Sequence, residues 1–142
     1  METTPQILIV SSELENRRAL NEILRKEGHE TICVSRITEC QEALQTQNVS
    51  LIFCDRRLSD GNYRDVISAT RSARQPARVI VTSRLADWDE YLDALHNGAF
   101  DLIASPCLPT DVLWAIVQAR REDELHAGFV APTSSRAAAA VA

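Results

Sequence analysis

Leu51-Ile52-Phe53-Cys54-Asp55 decides the fold: four apolar residues in succession, closed by a carboxylate. A half-buried strand alternates apolar and polar residues, so a run that is apolar throughout predicts a strand covered on both faces. That is the situation of a parallel sheet between two layers of helix. Working outward, Ile7-Leu8-Ile9-Val10 and Thr31-Ile32-Cys33-Val34 precede it, and Val79-Ile80-Val81-Thr82 and Leu102-Ile103-Ala104 follow it. Longer stretches of helical period lie between. Leu20, Ile23 and Leu24 mark the first, which ends at Gly28 as a C′ residue, and Thr38 with Gln41 predicts a capping box for the second, before Ala43-Leu44. Tyr63, Val66, Ile67 and Thr70 form the third stripe, closed by Pro76. Asp87 with Glu90 caps a fourth helix whose inward stripe reads Trp88, Tyr91, Leu92 and Leu95 before Gly98; Thr110 or Asp111 opens a fifth, carrying Leu113, Ile116 and Val117. Five βα units with right-handed crossovers give an α/β class, a (βα)5 doubly wound parallel sheet.

At 142 residues the chain suits one domain, placed at 5–124. The remainder, 125–142, is rich in Ala and Ser without a periodic apolar face, and reads as a disordered tail or linker. A formal charge of −5 repels phosphate backbones, so nucleic acid is not expected as a direct partner. No apolar run approaches the roughly 20 residues that span a bilayer, and Met1-Glu2-Thr3-Thr4-Pro5 lacks the features of a signal peptide. No membrane partner and a cytoplasmic location are the expectations. Cys33, Cys40, Cys54 and Cys107 form no C-x-x-C pair and read as four buried small hydrophobes, without zinc or a disulfide framework.

In an open parallel sheet, ligands bind beyond the carboxyl ends of the strands. Those ends are Ser11-Ser12-Glu13, Asp55, Thr82-Ser83 and Ser105-Pro106. A carboxylate ending an apolar strand has no packing value, so Asp55 is the foremost site candidate. Ser12 with Glu15 fits the S-x-x-E capping box and predicts an N-cap, leaving Ser11 as a loop residue. Cys54 should face away from Asp55, because successive strand residues point to opposite sides. Arg56 and Arg57 read either as replacements for cations at the site or as a solvated loop.

These blocks, in register, resemble the receiver domain of response regulators of two-component signalling. Ile7 to Glu13 with Arg17, Leu20, Leu24 and Gly28 is similar to the opening strand, acidic pair and first helix. The segment from Leu51 through Asp55 to Gly61 resembles the phosphoacceptor strand and loop, and Val79 to Ser83 through Asp87, Ala94 and Gly98 the switch-threonine strand and fourth helix. The resemblance implies a flavodoxin-like sheet of strand order 2-1-3-4-5, Asp55 as phosphoacceptor, Thr82 as switch residue and a cis Ser105–Pro106 bond.

It also implies departures. The acidic pair that holds Mg²⁺ in the family is Ser11 and Ser12 here; the carbonyl ligand falls at Arg57; the phosphate-binding Lys is Ser105; and the aromatic switch residue is Leu102. Glu13 is the one other nearby acid. Phosphorylating a carboxylate depends on neutralising charge between two anions, so these substitutions predict weak or absent Mg²⁺ binding and no cofactor. The leading reading is a non-enzymatic receiver with a degenerate pocket, acting through a protein partner such as a histidine kinase, another receiver or an output domain. A homodimer through the fourth and fifth helices fits the same reading, with Trp114, off the apolar stripe of the fifth helix, as the interface candidate. The alternative is a working phosphoacceptor at Asp55. A third reading, a small α/β enzyme with Cys107 or a hydroxyl as nucleophile, lacks a placed His base and a Gly-rich phosphate loop.

Overall fold

The computed structural model describes residues 5–126. Five strands form one parallel sheet: β1 (Gln6–Val10), β2 (Thr31–Val34), β3 (Val49–Asp55), β6 (Arg78–Ser83) and β7 (Asp101–Ala104). A two-stranded antiparallel hairpin, β4 (Arg57–Leu58) and β5 (Gly61–Asn62), intervenes directly after β3. The helices are α1 (Leu14–Lys26), α2 (Ile37–Thr46), α3 (Tyr63–Ser72), α4 (Trp88–His96) and α5 (Pro109–His126). The sheet order is β2-β1-β3-β6-β7, which is 2-1-3-4-5 when only the parallel strands are counted. The expected tail from residue 125 falls almost wholly outside the described residues.

The unbroken apolar strands divide cleanly between the two layers. Leu8, Val10, Ile52, Cys54, Val79, Val81 and Leu102 pack with α2, α3 and α4, whereas Ile7, Ile9, Leu51, Phe53, Ile80 and Ile103 pack with α1 and α5. Each buried Leu, Ile or Phe contributes about 1.5–3 kcal/mol. β3, at the centre, is buried along its whole length except Ser50. The parity continues past the apolar residues: Ser11, Asp55 and Thr82 extend the rows that face α1 and α5, and Cys54 lies in the opposite layer from those rows, as expected.

Helix faces correct the sequence pattern in places. In α4 the buried residues are Tyr91 and Ala94, while Trp88 and Leu92 are exposed. In α5, which starts at Pro109, Val112, Ala115, Ile116 and Ala119 are buried and Val117 is half exposed. Two alanines share that inward face with Val112 and Ile116, while Trp114 and Val117 stand outward. Cys33 is exposed, because β2 is an edge strand covered incompletely; the other three cysteines are buried.

Two expected caps are also replaced. Ser12 is not the N-cap of α1; Glu13 occupies that position without a side-chain cap. Ser12 instead accepts from Ser59 N–H at 3.1 Å and donates to the Ser35 carbonyl at 3.3 Å. Nor does Thr38 cap α2. Its N-cap is Arg36, and the first N–H groups of the helix, of Ile37 and Thr38, donate to Asp60 from the β4–β5 turn, at 2.9 and 3.3 Å. Gly61 follows at that turn because a Cβ there would collide with Asp65 and Ile37 side chains. The predicted Asp87 cap of α4 is present, accepting from Glu90 N–H at 2.9 Å, and Gly28 takes φ +85° after α1.

The backbone N–H of Ile37, more than any other group, holds the Asp60 carboxyl below its ordinary range. A carboxyl depressed on folding stabilises fully above the unfolded value, and loses that contribution as pH falls through the folded value. Asp60→Ala should therefore melt at lower temperature than the natural protein at neutral pH, with the gap closing in acid. Thermal scans of both proteins across the acid range check this.

Candidate functional site

The carboxyl edge of the sheet brings Ser11, Ser12, Asp55 and Thr82 together. Asp55 and Thr82 are register partners across β3 and β6. Asp55 is buried, and its two carboxylate oxygens accept four hydrogen bonds. Oδ2 receives Ser11 Oγ–H at 2.8 Å and Ser12 N–H at 3.0 Å. Oδ1 receives Asn16 Nδ2–H at 2.8 Å and Thr82 Oγ1–H at 3.0 Å. Asn16 Nδ2 also lies 3.2 Å from Thr82 Oγ1, and Cys107 Sγ–H donates to Asn16 Oδ1 at 3.4 Å. A buried carboxylate is costly unless it is hydrogen-bonded, and this one is saturated.

Asn16 is the residue the sequence reading missed. It is 3% exposed, on the inward face of α1 one and two helical steps before Leu20 and Leu24. An Asn on the apolar i, i+4, i+8 row is a buried polar group that requires a partner, and that spacing was the available signal. Ser11, expected as a loop residue or as a degenerate position of the pocket, is 1% exposed and donates directly to Asp55.

The other candidates lie around the mouth. Asp55, Thr82 and Ser105 line a cavity of about 180 Å³ together with Glu13, Arg56, Arg57, Ser83 and Arg84. Glu13 does not reach toward Asp55; it forms an ion pair with Arg84 across the mouth, both side chains being largely exposed. Arg56 turns to Glu90, 3.3 Å away. Glu90 also accepts from Ser83 Oγ–H at 2.5 Å and Ala86 N–H at 3.0 Å, which fixes the β6–α4 loop to α4. Ser105 precedes Pro106 through the expected cis bond. Burial, and secondarily the Asp55 charge, pushes the Cys107 thiol up to about 12; burial holds Cys54 far above the usual thiol range. Burial thus favours the neutral thiol at both positions, which disfavours nucleophilic chemistry there.

The model of the response regulator receiver domain matches residues 7–117. The chain belongs to that family. As a receiver it is a module of two-component signal transduction. Among curated proteins it is similar to the alginate biosynthesis transcriptional regulatory protein AlgB of Pseudomonas aeruginosa, at 32% identity over 113 residues, 77% of this chain and 25% of AlgB. It is also similar to the acid tolerance regulatory protein ActR of Rhizobium meliloti, at 30% identity over 112 residues, 79% of this chain and 58% of ActR. The chain thus spans between about a quarter and just over half of the length of these relatives. Among solved structures, a CheY-like receiver domain protein from Methanospirillum hungatei superposes with TM-score 0.75 at 22% identity, covering 87% of this chain and 99% of that one.

Mg²⁺ takes hard oxygens in octahedral array, commonly one or two carboxylates with water and phosphate. Here both Asp55 oxygens are engaged by hydrogen-bond donors, and serine hydroxyls occupy the acidic-pair positions. Among the described residues no group of three His, Cys, Asp or Glu could hold a metal ion. The donor set does not fit the ion.

Asn16→Ala removes one of the two donors to Asp55 Oδ1 and should cost about 1.5–3 kcal/mol, the worth of a hydrogen bond to a charged group. Ser11→Ala should cost less, because Asn16 also donates to Thr82 Oγ1 and accepts from Cys107 Sγ–H, and its truncation empties a larger buried volume. Urea unfolding midpoints of the two variants give the comparison.

Proposed function

We propose that this chain is a receiver-type signalling module that works by protein contact, with Mg²⁺-dependent phosphorylation of Asp55 attenuated or lost. The saturated Asp55 carboxylate is the observation that carries this reading. A phosphoryl acceptor needs a free carboxylate oxygen facing the donor and positive charge to offset the approach of two anions. Here attack from either oxygen requires breaking a buried hydrogen bond first. Ser105, at the position of the phosphate-binding Lys, contributes no charge. Thr82, the switch position, already spends its hydroxyl on Asp55, which supports a module held in one conformation or switched by another stimulus.

A working phosphoacceptor is the second reading. It draws support from Asp55 opening on a cavity lined by Arg56, Arg57 and Arg84. Yet Arg56 is engaged by Glu90, and Glu13, the other nearby acid, by Arg84.

The partner surface we assign is α4, β7 and α5, which adjoin at one edge of the sheet. Leu85, Trp88 and Leu92 on and before α4, and Leu108, Trp114 and Val117 on and before α5, are exposed large hydrophobics. Exposed aromatic and aliphatic groups of this kind mark protein contacts. The partner is a histidine kinase, a second receiver (including a second copy of this chain) or an output domain of a longer regulator. The acidic balance supports indirect rather than direct dealings with nucleic acid, and no described helix is long and apolar enough to cross a membrane. A cytoplasmic location completes the proposal.

Mg²⁺ should scarcely alter the melting temperature of the natural protein, and a small acyl-phosphate donor with Mg²⁺ should leave little phosphate on Asp55. The variant carrying Ser11→Asp, Ser12→Asp and Ser105→Lys should gain both Mg²⁺ stabilisation, by linkage, and phosphate uptake. Rapid uptake by the natural protein overturns the reading and establishes the second one.

Trp114→Ala tests the surface. With the residue 43% exposed, truncation should change unfolding stability little while weakening self-association or partner capture, as read by sedimentation and pull-down. Lost stability with unchanged association assigns Trp114 to packing instead.

A further inference from the structure

At the end of the sheet away from Asp55, the entries of the strands enclose a second cavity, of about 480 Å³. Its floor is apolar. Ile7, Leu51, Ile116 and Ala119 form it, all buried in the layer between the sheet and α1 and α5, and Pro5 adds to the wall. The turn between α1 and β2 supplies Gly28, His29 and Glu30 to the rim. Gly28 is exposed, and a Cβ placed on it would meet nothing within 4 Å, so the cavity opens to solvent on that side. Arg78 and Arg120 complete the rim. Arg78 contacts Glu122 at 3.4 Å and lies over the Phe100 ring, 5.1 Å from its centroid. Arg120 is exposed and enters no ion pair among the described residues. Burial first, and then the Arg120 charge, pull the His29 imidazole below its usual value, so it is neutral at neutral pH. With Arg78 offset by Glu122, Arg120 is the cation left to a ligand, and exposed Glu30 is the one acid among the described residues that line the cavity.

We propose that this cavity binds a small amphipathic carboxylate, its apolar body against Ile7, Leu51, Ile116 and Ala119 and its carboxylate on Arg120. Pockets for small organic ligands run to about 300–1,000 Å³ and combine a mostly apolar lining with a few placed polar groups. A buried apolar floor with one unpaired guanidinium at its mouth is that combination. Arginine receives a carboxylate through two parallel N–H bonds, and Arg120 follows Ala119 directly in α5, which sets the cation beside the floor. Neutral His29 adds a hydrogen-bonding group without a competing charge. The site is separate from the carboxyl edge, because Leu51 and Asp55 stand four residues apart on β3, roughly 13 Å along the strand. Binding there is therefore independent of what becomes of Asp55. Ile116 and Ala119 belong to the helix whose outer face carries Trp114 and Val117, so the ligand would pack on the back of the partner surface.

Calorimetric titration of the full chain with octanoate tests this, with octanol and octylammonium as the uncharged and cationic counterparts. Octanoate should bind more tightly than either. Affinity should rise from butanoate to octanoate by up to about fourfold per added CH₂, the worth of its burial. Arg120→Gln, an exposed substitution that leaves the packed layer intact, should weaken octanoate roughly tenfold, toward octanol, as expected for loss of a charge-assisted contact. Glu30→Gln should tighten octanoate by removing the opposing charge. Ala119→Leu should exclude the ligand by filling the cavity, and Arg120→Gln decides the matter if that variant does not fold. Amide shifts induced by octanoate in nuclear magnetic resonance spectra should centre on Gly28, Ser50 and Ala119. No binding, equal affinity for octanol and octanoate, indifference to Arg120→Gln, or shifts centred on the exposed residues of α4 instead each overturn the inference.

Discussion

A carboxylate at the end of the central, fully covered strand is the constraint around which the carboxyl edge is organised. Burial of Asp55 demands donors, and the sheet supplies two of its partners by parity alone. Ser11 and Thr82 extend the same face of β1 and β6, to which Asp55 is directly registered on the Thr82 side. A third donor is the Ser12 N–H, and the fourth comes from α1, where Asn16 replaces an apolar residue on the packed face. In a receiver with carboxylates at the Ser11 and Ser12 positions, the same edge would carry clustered negative charge needing a cation. Here the Ser11 hydroxyl and the Ser12 N–H donate to Asp55 instead, so its oxygens are satisfied by protein groups.

Magnitudes rank the contacts around it. Each buried hydrogen bond to Asp55 falls in the class worth about 1.5–3 kcal/mol, whereas the exposed Glu13–Arg84 pair, screened by solvent, contributes far less. The inner set is therefore rigid and the outer rim soft. Between them stands Glu90, 13% exposed at its side chain, which gathers Arg56, Ser83 and Ala86. Ser12 does the same on the other side, tying the loop after β2 to the β4–β5 hairpin. The edge is fixed from two sides around one carboxylate.

The sheet was legible in the sequence because two-sided burial leaves few polar residues in a strand, and β1, β3 and β6 are apolar throughout between Gln6, Ser50 and Arg78 at their entry ends and the residues at the carboxyl edge. Helices were located by period, but their faces were less legible. Trp88 and Leu92 lie at helical spacing with Tyr91, yet they stand outside the packed face, and periodicity cannot separate a core stripe from an adhesive one. Caps failed for a different reason. The donor groups at the start of α2 are met by Asp60, twenty-three residues onward, and no local motif encodes a partner at that range. Asp55 and Thr82 were visible as strand ends. Asn16 was hidden because the polar residue on a helix face reads as surface until the strand opposite it is known.

The route from Asp55 to the exposed residues of α4 is short, and it is built from adjacent residues with opposite orientations. Thr82 points to one face of the sheet and bonds Asp55; Ser83 bonds Glu90 of α4. Arg56, directly after Asp55, reaches the same Glu90 and donates its backbone N–H to the Thr82 carbonyl at 2.9 Å. Two consecutive residues on each of two paired strands thus connect the buried carboxylate to a helix bearing Trp88 and Leu92. A switch requires two arrangements of comparable free energy, and the observed one already satisfies every acceptor of Asp55. A second arrangement must then offer Thr82 a better acceptor than Asp55 Oδ1, or offer Arg84 a better one than Glu13. The exposed arginine has far less to give up, so the rim, rather than the carboxylate, is where this receiver is most easily moved.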